Sequence, residues 1–196
     1  MGKNYFMGEP LPKGGRPAML VAGHSWAEGT FRGHEAEIGN ALGMEVVART
    51  KVGSGIDYAR GEVGKADGDY RCALLFTGIN DYSRAAGETG RKFDAAIDAA
   101  LSKASGRVYV VNVPYYDAAG KGRIDDINRH LKSRAEKDPR IIYVDLNAEL
   151  NGKKHPEYSP SELHPANYKG VREFLIREIG RNEGALANSE GQKAAR

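Results

Sequence analysis

Five short apolar stretches, at residues 18–22, 44–48, 72–76, 108–113 and 141–145, punctuate the chain at intervals too long for hairpins. Met19-Leu20-Val21-Ala22 and Cys72-Ala73-Leu74-Leu75-Phe76 are continuous runs, and none of the five alternates apolar with polar residues. A strand that is apolar on both faces must be covered on both, and helices in the connections do the covering. Helical patterns are expected over 33–42, 92–103 and 124–137, with a fourth over 167–181 after the last strand. Ile124, Ile127 and Leu131 recur at three- and four-residue steps among charges, and Val171, Phe174, Leu175 and Ile179 form a similar stripe. Right-handed crossovers between parallel strands leave few arrangements. The expected one is a three-layer α/β/α domain built on an open, doubly wound, five-stranded parallel sheet.

The 196 residues, 40% of them hydrophobic, suffice for one such domain. Its expected extent is 18–184, between a flexible N-terminal segment 1–17, rich in Gly, Pro and Lys, and a small, polar, flexible C-terminal tail 185–196. Lys plus Arg exceed Asp plus Glu by only three, which gives no field for nucleic acid or an anionic membrane. No apolar run has the length of a signal-peptide core or a membrane span, and the single cysteine, Cys72, cannot form an internal disulfide. A cytoplasmic location is therefore expected. The histidines show no H-E-x-x-H or related spacing, and Gly53-x-Gly55 lacks the third glycine of a dinucleotide loop. Neither a metal nor another cofactor is expected.

Ligands of such sheets bind at the carboxyl ends of the strands, and Gly-rich, polar loops are expected at 51–55, 61–69 and 115–122. The first strand runs straight into Gly23-His24-Ser25-Trp26, which puts a hydroxyl at a sharp turn on that edge. Taken alone, Ser25 could be no more than a helix cap. The third strand is followed by Thr77-Gly78-Ile79-Asn80-Asp81, and an Asn amide can donate to an oxyanion without changing its protonation state. Ser161-Glu162-Leu163-His164-Pro165 precedes the last helix and brings a candidate base to the same edge.

In this order, VAGHS, KVGSG, FTGIND and SELHPANYKG resemble the nucleophile, glycine, asparagine and histidine blocks of the SGNH (GDSL-like) hydrolases, across residues 19–170. The resemblance implies a flavodoxin-like sheet and a serine esterase that needs no cofactor. Ser25 would be the nucleophile and His164 the base, with an oxyanion hole of the Ser25 N–H, the Gly55 N–H and the Asn80 side chain. Gly55 is chosen over Gly53 because it matches the family's Ser-Gly step.

Two positions depart from the family pattern. His24 stands where the first block usually has Asp, and a role in tuning substrate access is assigned to it. Ser161 stands three residues before His164, where the family has the acid of its triad. Three arrangements are open: a Ser25–His164 dyad braced by a backbone carbonyl, a triad completed by Glu162, or a degenerate site. The last corresponds to a domain that binds a glycan or protein partner without turnover. The expected substrate is a small-molecule or glycan ester. A short acyl group such as acetyl is favoured by the lack of long apolar insertions, and Tyr115 and Tyr116 are available to stack on it.

Overall fold

A computed structural model describes residues 15–150, 158–159 and 161–194. Strands β1 (Ala18–Gly23), β2 (Glu45–Thr50), β3 (Cys72–Phe76), β4 (Val108–Val111) and β5 (Ile141–Val144) form one sheet in the order β2-β1-β3-β4-β5. Every neighbouring pair is parallel. The expected flavodoxin-like architecture is the one observed.

Alternate residues of each strand feed two separate cores. Ala18, Leu20 and Ala22 of β1 pack with α3 (Ile56–Gly64), α4 (Ala86–Lys103) and α5 (Lys121–Lys137), through Ile56, Phe93, Ile97, Ile124 and Leu131. Met19 and Val21 face the other side, towards α1 (Ser25–Phe31), α2 (Glu35–Leu42), α6 (Leu146–Leu150) and α7 (Lys169–Ala194), through Trp26, Phe31, Ile38, Phe174 and Ile179. All six residues of β1 are buried, which is why the strand reads as an unbroken apolar run.

Several boundaries differ from expectation. Helix α3 takes up residues 61–64 of the expected loop 61–69: Ile56, Ala59 and Val63 bury one face despite Gly61 and Gly64. Helix α4 begins at Ala86 rather than residue 92, through a Gly-containing first turn. A Cβ at Gly90 would sit 3.1 Å from the His130 ring, so the glycine that weakens the helical signal is needed for α4 to approach α5. Helix α7 extends past residue 181 and carries helical backbone through 185–194 of the expected tail. Of the expected N-terminal segment, residues 1–14 lie outside the described residues.

The chain leaves β1 towards β2 on one side and later returns to β3 on the other. The carboxyl end of β1 is thus the switch point of the sheet, flanked by the loops after β2 and β3.

Candidate active site

Strand β1 ends against β3 too closely for any side chain. A Cβ on Gly23 would lie 2.1 Å from the Phe76 carbonyl oxygen and 2.7 Å from the Ala27 Cβ. His24 makes the last rung, its N–H donating to the Phe76 carbonyl at 3.1 Å, and then caps α1, its Nδ1 accepting from the Trp26 N–H at 3.1 Å. Ser25 is the first residue of α1, so its own N–H has no acceptor within the helix. The Ser25 Oγ lies 2.7 Å from Nε2 of His164, across 139 residues of sequence.

The His164 loop is held by its neighbours. Trp26 Nε1 donates to the Leu163 carbonyl at 2.9 Å, and the Trp26 ring meets Tyr158 and Tyr168 edge-on. Gly29 leaves room for the Tyr168 ring, which a Cβ would approach to 2.3 Å. Ser161, in the family's acid position, turns its hydroxyl to Ser159 Oγ at 2.8 Å. Glu162 is exposed, and its backbone N–H bonds the Ser159 carbonyl. Neither residue is brought to His164: among the described residues, no group accepts a hydrogen bond from its Nδ1.

His24 is not placed to touch a substrate. It is fully buried, and its work is the cap. Burial, and secondly the positive charge that His164 can carry nearby, hold its pKa down at about 3, so it is neutral. With Nδ1 accepting, the proton sits on Nε2, which has no partner among the described residues.

The glycine loop and the asparagine turn meet beside Ser25. Lys51 N–H donates to the Gly23 carbonyl at 3.1 Å, and Ser54 Oγ to the Lys51 carbonyl at 2.8 Å. Asn80, in the 3₁₀ turn Ile79–Asp81, donates through Nδ2 to the Ser54 carbonyl at 2.8 Å, which leaves its second N–H uncommitted. Gly78 opens that turn with φ of 107°, and a Cβ there would lie 2.6 Å from the Phe93 ring. Gly55 is the N-cap residue of α3 and packs on the Asp81 carboxylate, whereas Gly53 has φ of 73° and open space where a Cβ would stand.

Tyr115 is already engaged. Its hydroxyl donates to Asp125 at 2.6 Å, which raises its pKa, and the Lys121 ammonium stands 4.5 Å over its ring. One face of the ring is therefore covered, beside the half-buried Tyr116. Its ring meets that of Tyr82 edge-on at 6.1 Å.

Some residues of this edge escaped the sequence reading. Asn112, Asn128 and Asn147 are buried and tie the exit of β4 in place. Asn128 Oδ1 accepts from the Val113 N–H, Asn147 Oδ1 accepts from the Tyr115 N–H, and both amides donate to the Val113 carbonyl. The signal for them is an amide inside the apolar run Val110-Val111-Asn112-Val113, which demands buried partners. Asp81, joined to Ile56, has no such local signal.

Among the described residues, no group of three His, Cys, Asp or Glu side chains could hold a metal, and no helix is long and apolar enough to cross a membrane. A cleft of about 370 Å³ lies beside α2 and the start of β2, at the end of the sheet away from Ser25, and none of the candidate site residues lines it.

No family model and no curated protein matches the chain. Solved structures do. A member of the lipolytic G-D-S-L protein family from Veillonella parvula superposes with TM-score 0.62 at 20% identity, over 84% of this chain and 94% of that one. AlinE4, an SGNH-hydrolase family esterase, gives 0.61 at 14% identity, over 90% and 97%. A Bacteroides fragilis protein described as an acylhydrolase gives 0.67 at 15% identity, over 84% and 87%. The chain has the three-layer α/β/α fold of the SGNH hydrolases, with Ser25 and His164 hydrogen-bonded at the carboxyl edge of its sheet.

Proposed function

We propose that the protein is a serine esterase, and the observation that carries this reading is the 2.7 Å contact between Ser25 Oγ and His164 Nε2. Ser25 attacks an ester carbonyl while His164 takes the hydroxyl proton. The resulting imidazolium protonates the departing alkoxide, and water, deprotonated by His164, then releases the acid from the acyl-enzyme. The N–H groups of Ser25 and Gly55 stabilise the oxyanion, and Asn80 holds the Gly55 peptide through the Ser54 carbonyl.

The catalytic unit is a dyad, a reading supported by Ser161, whose hydroxyl bonds Ser159, and by the exposed Glu162, neither of which is hydrogen-bonded to His164. Without a carboxylate behind the imidazole, the positive charge formed in the transition state is less well offset. Loss of the acid from a full triad costs about 10⁴-fold in kcat, so a slow enzyme is expected. The substrate is a small ester with a short acyl group, such as acetyl on a glycan. The half-buried pair Tyr82 and Tyr116, after β3 and β4, would supply aromatic surface for a sugar ring.

That no acceptor for Nδ1 of His164 is found among the described residues also favours a second reading, a domain that binds a glycan or protein without turnover. Hydrolysis of p-nitrophenyl acetate, butyrate and octanoate by wild type and Ser25→Ala separates the two. Esterase action predicts turnover that falls with acyl length and vanishes in Ser25→Ala. Folded wild type without turnover, or a Ser25→Ala variant as active as wild type, contradicts it.

A further inference from the structure

Helix α3 begins in an unusual way for its sequence. Its N-cap residue, Gly55, has no side chain with which to satisfy the first N–H groups, although Ser, Thr, Asp or Asn would do so locally. The cap comes instead from 25 residues away: Asp81 Oδ2 accepts from the Ile56 N–H at 2.9 Å. The two devices exclude each other, because a Cβ on Gly55 would lie 2.7 Å and 3.0 Å from the two Asp81 carboxylate oxygens. Nor is the backbone the reason for glycine, since φ of −103° at Gly55 suits any residue.

Asp81 is almost wholly buried, at 5% exposure, with Arg84 3.5 Å from its other oxygen. It directly follows Asn80, whose amide holds the Ser54 carbonyl at 2.8 Å. One short turn therefore grips three successive residues: Asn80 the carbonyl of Ser54, Asp81 the N–H of Ile56, with Gly55 pressed between. In a planar trans peptide the carbonyl and the N–H point in opposite directions, so fixing the Ser54 carbonyl fixes the direction of the Gly55 N–H.

We propose that Asp81 is a positioning residue, which together with Asn80 clamps the Gly55 peptide so that its N–H meets the oxyanion in a fixed direction. This deepens the esterase reading and rests on it. The clamp holds the glycine loop to the asparagine turn directly, so the Gly55 N–H keeps its direction when either loop moves. A local cap at residue 55 would stabilise α3 equally well but would leave that direction free.

The test uses the full chain with p-nitrophenyl acetate as substrate. Asp81→Asn keeps an acceptor for the Ile56 N–H; Asp81→Ala removes it; Asp81→Ser keeps a polar group too short to reach it and serves if the Ala variant does not fold. Displacing one oxyanion donor can cost up to about 10²–10³-fold, and partial displacement predicts kcat lower by about 10- to 100-fold in the Ala or Ser variant, KM unchanged. Asp81→Asn should recover most of kcat. Hydrogen exchange at the Ile56 amide should accelerate in the Ala or Ser variant and stay protected in the Asn variant. A folded Ala or Ser variant with kcat within about two-fold of wild type, or an Asn variant as impaired as it, overturns the clamp while leaving Ser25 as nucleophile. A wild type with neither turnover nor labelling of Ser25 by a fluorophosphonate overturns the esterase reading, and the clamp's oxyanion role with it.

Discussion

Replacing His24 by Asn should remove a pH dependence built into the nucleophile turn. The His24 imidazole is fully buried and stays neutral down to a pKa of about 3, whereas in the unfolded chain it titrates at 6.5. Between those values the unfolded chain binds a proton that the folded chain refuses. The stability due to His24 is thus complete above about pH 6.5 and declines as the pH falls towards 3. For these two values, linkage gives a loss of about 2 kcal/mol on going from pH 7 to pH 5, most of it from protonation of the unfolded histidine. Asn at 24 offers an Oδ1 in place of Nδ1 to accept from the Trp26 N–H, and it does not titrate. Its smaller volume leaves a void beside Phe76, a cost that is the same at both pH values. Urea unfolding of wild type and His24→Asn at the two pH values isolates the effect, because every other titrating group cancels in the difference. The stability difference should move by about 2 kcal/mol in favour of Asn at the lower pH. A difference that moves by less than about 0.5 kcal/mol would mean that His24 is protonated in the folded protein, and the neutral cap would be wrong.

Trp26→Phe keeps the ring packing but loses the 2.9 Å bond to the Leu163 carbonyl; unfolding free energy should fall by about 1 kcal/mol and kcat by about 10-fold, read from urea unfolding and ester turnover. Unchanged kcat would show that this bond does not hold His164 in place. Gly23→Ala sets a Cβ 2.1 Å from the Phe76 carbonyl, and a loss of about 3 kcal/mol or more is expected in thermal unfolding. Burial pushes the Cys72 thiol well above its ordinary pKa, so the native protein should resist alkylation at neutral pH and react only when unfolded, as followed by mass spectrometry.

The strands were legible because a parallel sheet covered on both faces needs residues such as Met19 to Ala22 that are apolar without alternation. Helix α3 was not, since Gly61 and Gly64 dilute a pattern carried by only Ile56, Ala59 and Val63. The edge on which Ser25, Asn80 and His164 gather follows from their places after strands one and three and before the last helix. Their mutual fixing does not. The Asp81–Ile56 and Trp26–Leu163 bonds span 25 and 137 residues, and nothing local in either segment announces the partner. His24 illustrates the same limit: a histidine beside a nucleophile suggests contact with substrate, and only the packing of Phe76 and α1 around it turns it into a buried cap.

The central claim is that Ser25 is the nucleophile of an esterase. Its most direct test is to treat the folded protein with a fluorophosphonate and map the adduct by peptide mass spectrometry, with Ser25→Ala alongside. The account predicts a single adduct on Ser25, absent from Ser25→Ala and formed more slowly in a His164→Ala variant. An unlabelled wild type, or an adduct on any other residue, would contradict it.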